Sequence, residues 1–341
     1  MSTIAKTALP LPVTVLTGFL GSGKTTLLSH ILRDPAFART AVIINEFGEV
    51  GLDHDLLEQT REELVLLANG CVCCTVRGDL LATLKRLADE GAVHDIDRVV
   101  LETTGLADPA PILHTLMAEP SIRDQFRFDR LITTVDAVNG ADTLHRHEAA
   151  RHQAALADRL VLTKTDLCTP EQRQELEGWL EALNPGAPLY PAFQGQIAPD
   201  VLFGGATSHE ASDSDQWIAR AASHEHHGEH HDDHAHHHDD GIRSYAVVLD
   251  EPVSWGGFES WLNVMTAMRG PDLLRVKGLV QVREHPDRPV VIHGVQHVFH
   301  PPRILDAWPS DDRRTRLVFI TRGIDPDDIE ATLAVFANRH A

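Results

Sequence analysis

The segment GFLGSGKT, residues 18–25, places three glycines, a lysine and a threonine in the G-x-x-x-x-G-K-[ST] spacing. It follows an apolar run, VTVLT (13–17), and opens a stretch with helical spacing, TTLLSHILRD (25–34). A strand–loop–helix unit of this kind wraps backbone N–H groups around phosphate oxygens and aims a helix N-terminus at them. Gly18, Gly21 and Gly23 allow the close wrap, with Ser22 and Thr26 beside the phosphates. Lys24 is expected to reach the β- and γ-phosphates and Thr25 to hold Mg²⁺. At the end of RVVLE, LETTGLADP (101–109) offers Glu102 to the Mg²⁺ shell and a Gly105 N–H to a γ-phosphate, with Asp136 a weaker candidate nearby. In TKTD (163–166), Asp166 can accept two hydrogen bonds from a guanine edge while Lys164 lies along the base, which favours GTP over ATP. Thr163 stands where the commoner signature has Asn.

A second chemistry lies in NGCVCC, residues 69–74. Cys71, Cys73 and Cys74 provide soft thiolates suited to Zn²⁺ with an open fourth position, Co²⁺ or Ni²⁺ being the other candidates. Buried structural thiols are the bland alternative. A third sits between Ser223 and Asp240, where nine of the 22 histidines interleave with Asp and Glu. His224, His226, His227, His230, His231, His234, His236, His237 and His238 read as an auxiliary, low-specificity metal reservoir, or else as a solvated linker. His293, His297 and His300 alternate with apolar residues, either as a partner or metal surface or as half-buried strand positions.

These groups need a scaffold. VTVLT, AVIIN, ELVLLA, RVVLE, LITTVDAV and RLVLTK are short Val/Ile/Leu-rich runs, with helical spacing at 25–34, 79–90 and 170–184. Such alternation predicts an α/β fold with a mostly parallel sheet. Expected units are a nucleotide domain at 1–192, a flexible linker with the His-rich segment at 193–241, and a smaller α+β C-terminal domain at 242–341. A formal charge of −20, from 30 basic and 50 acidic residues, argues against nucleic acid or an anionic membrane as partner. No apolar run has the length of a membrane span, and the N-terminus does not read as a secretory signal, so a cytoplasmic location with reduced thiols is expected.

LTGFLGSGKTTLL, VIINEFGEVGLD, NGCVCC, ETTGLADP, VDAV and LTKTD occur in this order, and LLRVKGLVQV and GVQHVFHPP follow. Together they resemble the CobW-like metal-trafficking GTPases, relatives of the nickel-insertion GTPases of urease and hydrogenase maturation. The resemblance implies a P-loop NTPase fold of the SIMIBI class and metal binding at the Cys-x-Cys-Cys motif coupled to nucleotide state. NEFGEVGLD (45–53) corresponds to a switch segment, with Glu49 a further metal ligand and Asp53 a support for the Mg²⁺ shell. Glu46 and Glu49 read equally well as solvated loop charges, and Ile44 stands where some relatives have another acid. The implied activity is GTP hydrolysis by a metallochaperone serving a client metalloprotein or metal-dependent biosynthetic enzyme, with a homodimer left open. A metal buffer, a role in cobalamin biosynthesis and a small-molecule kinase are the alternatives. No water-orienting Gln or arginine finger stands out, so turnover is expected to be slow.

Overall fold

The computed structural model describes residues 10–45, 64–67, 75–89, 96–198, 202–203, 220 and 241–337. The first sheet contains β1 (Leu11–Gly18), β2 (Thr40–Asn45), β3 (Leu64–Leu67), β4 (Arg98–Thr103), β5 (Phe126–Asp136), β6 (Arg159–Thr163) and β7 (Leu189–Pro191). Their order is β3-β2-β4-β1-β5-β6-β7 and every pairing is parallel. Both faces are covered, which is why the strands are apolar without alternation. Val13, Val15, Ile43, Val99 and Leu101 point to one core, Leu16, Val42, Ile44, Val100 and Ile132 to the other.

Helices follow the strands: α1 (Lys24–Leu32), α2 (Thr75–Asp89), α3 (Ala110–Ala118), α4 (Gly140–Arg146), α5 (Glu148–Leu156) and α6 (Pro170–Leu183). Local chemistry sets their ends. Thr169 and Gln172 form a reciprocal capping box at the start of α6, with Pro170 in the first turn. A second, antiparallel sheet contains β8 (Ile242–Leu249), β9 (Arg275–Val280), β10 (Val290–Val295), β11 (Val298–Phe299), β12 (Arg303–Ile304) and β13 (Thr315–Arg322). One face carries α7 (Trp255–Arg269) and α8 (Pro326–Ala337), burying Phe258, Trp261, Ile329 and Leu333. The other face packs on the first unit: Leu279, Val318 and Ile320 share a core with Leu113, Leu116 and Phe128. Among the described residues no helix is long and apolar enough to cross a membrane.

An ionic cluster lies within that interface. Asp158, at the turn into β6, pairs with both Arg275 and Lys277 of β9, and its second oxygen accepts the Leu131 N–H at 2.8 Å. Arg275 is fully buried and the Asp158 side chain is 10% exposed. Burial alone would raise the Asp158 carboxyl, but Arg275 and Lys277 outweigh it and hold it well below the usual carboxylate range. His293 and His300 lie beside the cluster with their rings 4.8 Å apart, and His300 stacks on Phe128. Burial, reinforced by Arg275, pulls His293 well below its ordinary value and His300 down to about 4. His297 meets His114 edge-on at 4.5 Å, and the His114 ring contacts the Val295 carbonyl at 3.1 Å. The three histidines of the HGVQHVFH segment therefore pack between the two units.

The sign of the pH dependence follows. Unfolded His300 takes up its proton near 6.5 and the folded form only near 4, so the unfolded state binds more protons across that window. Stability should fall as pH drops from about 6.5 to about 4, by roughly 3 kcal/mol from His300 at ~1.4 kcal/mol per unit. The Asp158 contribution persists through this range and is lost only below about 3.8. Urea midpoints measured from pH 7 to pH 4 check this, and His300→Phe should remove its share of the slope while the share of buried His293 remains.

Candidate functional site

Because all seven strands run parallel, their carboxyl ends form one rim, where α/β folds bind ligands. β1 delivers Gly18 there, in a left-handed conformation with φ 145°. A Cβ on Gly18 would lie 2.2 Å from the Thr134 hydroxyl oxygen, so the loop can pass only as glycine. Gly21 and Gly23 are also left-handed, with φ 73° and 86°. Helix α1 starts without a side-chain cap and without an acid in its first turn, leaving its N–H donors to an anion. The Lys24 ammonium folds back over the loop, donating to the carbonyls of Gly18 at 2.8 Å and Phe19 at 3.3 Å.

The end of β4 closes on this loop. Thr25 donates its hydroxyl to Glu102 at 2.8 Å, and Thr103 bonds Thr17 at 2.7 Å. Glu102 is 2% exposed. A buried carboxylate against a hydroxyl at the mouth of a phosphate loop is a hard oxygen pair suited to Mg²⁺. Gly105 follows on the same loop, and a Cβ there would meet the Leu20 backbone N at 2.7 Å. Strand–loop–helix order thus brings Gly18, Lys24, Thr25, Glu102 and Gly105 together.

The far end of the rim holds the TKTD turn. Thr163 is more than a substituted Asn: its hydroxyl donates to the Ser22 carbonyl at 2.7 Å and ties β6 to the phosphate loop. Lys164 adopts φ 57° and pairs with Asp136 at 2.7 Å. Burial raises Asp136, yet the hydrogen bonds from Lys164 and Asn139 prevail and leave it below the ordinary value. Asp136 therefore belongs to Lys164 rather than to the Thr25–Glu102 pair. Asp166 is exposed, one residue past Thr165, whose hydroxyl donates to the Ala192 carbonyl at 3.0 Å. The turn after Ala192 completes this end. A Cβ on Gly195 would lie 2.7 Å from the His30 ring and 3.1 Å from Thr26. Sequence reasoning missed this turn, because the strand before it, β7, is only three residues long, and Gln153, which had no local signature at all.

Cys71, Cys73, Cys74, Glu49, Asp53 and the histidines from His224 to His238 lie outside the described residues. Among the described residues no group of three or more His, Cys, Asp or Glu is arranged to hold a metal. Cys168 is half-buried beside the Thr165 carbonyl.

Residues 12–191 match the family model "CobW/HypB/UreG, nucleotide-binding domain", and residues 242–337 match "Cobalamin synthesis protein cobW C-terminal domain". The chain is 32% identical over 327 residues to the zinc chaperone YjiA of Escherichia coli, covering 95% of this chain and 98% of that one. It is 33% identical over 362 residues to the zinc chaperone CobW of Pseudomonas aeruginosa, covering 95% and 90% respectively. The crystal structure of Zn(II)-bound YjiA GTPase from E. coli superposes with a TM-score of 0.67 at 26% identity, over 96% of this chain and 99% of that one. Phosphate loop, Thr25–Glu102 pair, TKTD turn and C-terminal sheet all stand within these matched spans: the chain belongs to the CobW/HypB/UreG family of P-loop GTPases.

Proposed function

We propose that this GTPase is a zinc metallochaperone that takes up Zn²⁺ through Cys71, Cys73 and Cys74 and releases it to a client metalloprotein according to nucleotide state. The single rim carries this reading. β3 opens onto the edge that also holds Glu102, two strand spacings away at about 10 Å, and Lys24 and Thr25 after β1, three spacings away at about 14 Å. Leu67 and Cys71 are four residues apart in sequence, a span of at most about 13 Å, so chain length does not keep the thiolates from the phosphate pocket. The names of the two chaperone relatives support zinc as the cargo.

Gly18, Gly21, Ser22, Gly23, Thr26 and Gly105 present backbone and hydroxyl groups to the triphosphate, and Lys24 places an ammonium on its β- and γ-oxygens. Thr25 and Glu102 would hold Mg²⁺, which when bound neutralises charge on the phosphate oxygens. Lys164 and Asp166 read guanine. Glu49 joins the zinc ligands and Asp53 supports the magnesium shell. The histidines from His226 to His238 act as a reservoir that feeds the thiolates in the cytoplasm. Coupling between the two ligands is reciprocal: whichever nucleotide tightens zinc is itself tightened by zinc, by the same factor.

The test is competitive Zn²⁺ affinity with a GTP analogue, with GDP and without nucleotide. A difference of about tenfold or more between nucleotide states is expected, a coupling of ~1.4 kcal/mol. Replacing Cys71, Cys73 and Cys74 by serine should abolish it and leave GDP binding unchanged. Equal zinc affinity in all three states would sink the reading.

A further inference from the structure

Gln153, on α5, is fully buried, and the roles assigned above leave it unused. Its carboxamide nitrogen donates to two carbonyls of the loop after β4, Gly105 at 3.2 Å and Ala107 at 2.9 Å. A reversed amide would set its oxygen against both carbonyls, so chemistry fixes this orientation. The amide oxygen, buried and without a hydrogen-bond partner among the described residues, sits in a side chain that lines a cleft of about 220 Å³ with Phe19, Gly21, Ser22 and Thr134. The residue cannot drift. Its own carbonyl accepts from Thr133 at 2.8 Å, and His147, just before α5, stacks on Phe19 of the phosphate loop at 4.5 Å. Beyond α5, Asp158 is fastened to Arg275 and Lys277.

We propose that Gln153 is a positioning residue for hydrolysis: it holds the Gly105–Ala107 loop from beneath so that the Gly105 N–H is aimed at the γ-phosphate. The proposal rests on the GTPase reading and extends it. Gly105 also approaches Leu20 so closely that a Cβ there would lie 2.7 Å from the Leu20 nitrogen, so the loop is held by the phosphate loop as well as by the single side chain of Gln153. GDP has no γ-phosphate for the loop to meet. Loss of the anchor should therefore affect triphosphate discrimination and turnover while sparing GDP affinity.

The experiment compares the full-length chain with Gln153→Met, similar in length but without donors, and Gln153→His, which keeps one N–H. Gln153→Met should lower kcat/KM for GTP about tenfold and reduce the preference for GTPγS over GDP by a similar factor, through weaker triphosphate binding at unchanged GDP affinity, as expected for two neutral hydrogen bonds. Gln153→His should recover part of both. Wild-type kcat/KM and preference in a folded Gln153→Met variant would overturn the proposal. So would a parallel loss of GTPγS and GDP affinity, the mark of a merely structural role. A wild-type chain that turns over no GTP refutes the GTPase reading instead, and the GTPγS/GDP preference then still decides the role of Gln153.

Discussion

Replacing Lys24 by alanine should lower single-turnover GTP hydrolysis about a thousandfold, the upper range for removing one preorganised group facing developing charge. The size follows from how the ammonium is held. Lys24 is only 9% exposed and already seated over the Gly18 and Phe19 carbonyls, so little reorganisation separates its resting position from one that neutralises a phosphate oxygen. In this setting, screening by solvent is weak and the charge acts at close to its full strength. Lys24→Arg should not rescue, since a planar fork cannot occupy a position defined by two converging carbonyls. A Lys24→Ala variant retaining more than about a tenth of the rate would move the catalytic charge elsewhere on the rim.

The second large effect concerns stability. Asp158→Asn should destabilise the chain by about 3–5 kcal/mol, because it strands two buried cations. Arg275 is wholly enclosed, and among the described residues its Nε and Nη1 have no hydrogen-bond partner, so the Asp158 carboxylate is what makes its burial tolerable. Replacing Asp158, Arg275 and Lys277 together by apolar residues of similar size should recover most of the loss, as buried ion clusters often exchange for packed side chains at little cost. Urea midpoints of the single and triple variants separate these contributions. A midpoint for Asp158→Asn within about 1 kcal/mol of wild type would show that water reaches the cluster.

Most of the scaffold was legible because parallel strands covered on both faces are continuous apolar runs. VTVLT, RVVLE and RLVLTK announce β1, β4 and β6 within a residue or two. The helices at 24–32, 75–89, 170–183 and 255–269 carry their period or their caps in the chain. Helices α3, α4 and α5 were not legible. Ala110–Ala118 is apolar almost throughout and shows no polar stripe against which a period can be read, while Gly140–Arg146 and Glu148–Leu156, of seven and nine residues, are too short for a helical period to stand out. The site divides in the same way. Residues in the phosphate loop and TKTD declare themselves by spacing, since a local backbone geometry demands them. Gln153 and the Asp158–Arg275–Lys277 cluster join positions 46 to 119 residues apart, and only tertiary packing brings them into contact. The interface histidines were readable as pattern but not as role: what decides it is the second unit lying across Phe128.

Strand β6 is five residues long, with Asp158 before its first residue and Lys164 after its last. At about 3.3 Å per residue, the Asp158 cluster and the TKTD turn are separated by roughly 20 Å of extended, buried chain. Such a rod has no slack to absorb a push. A tilt imposed at the TKTD turn is passed to the Asp158 cluster, and a load placed on the C-terminal sheet presses back on that turn through the same five residues.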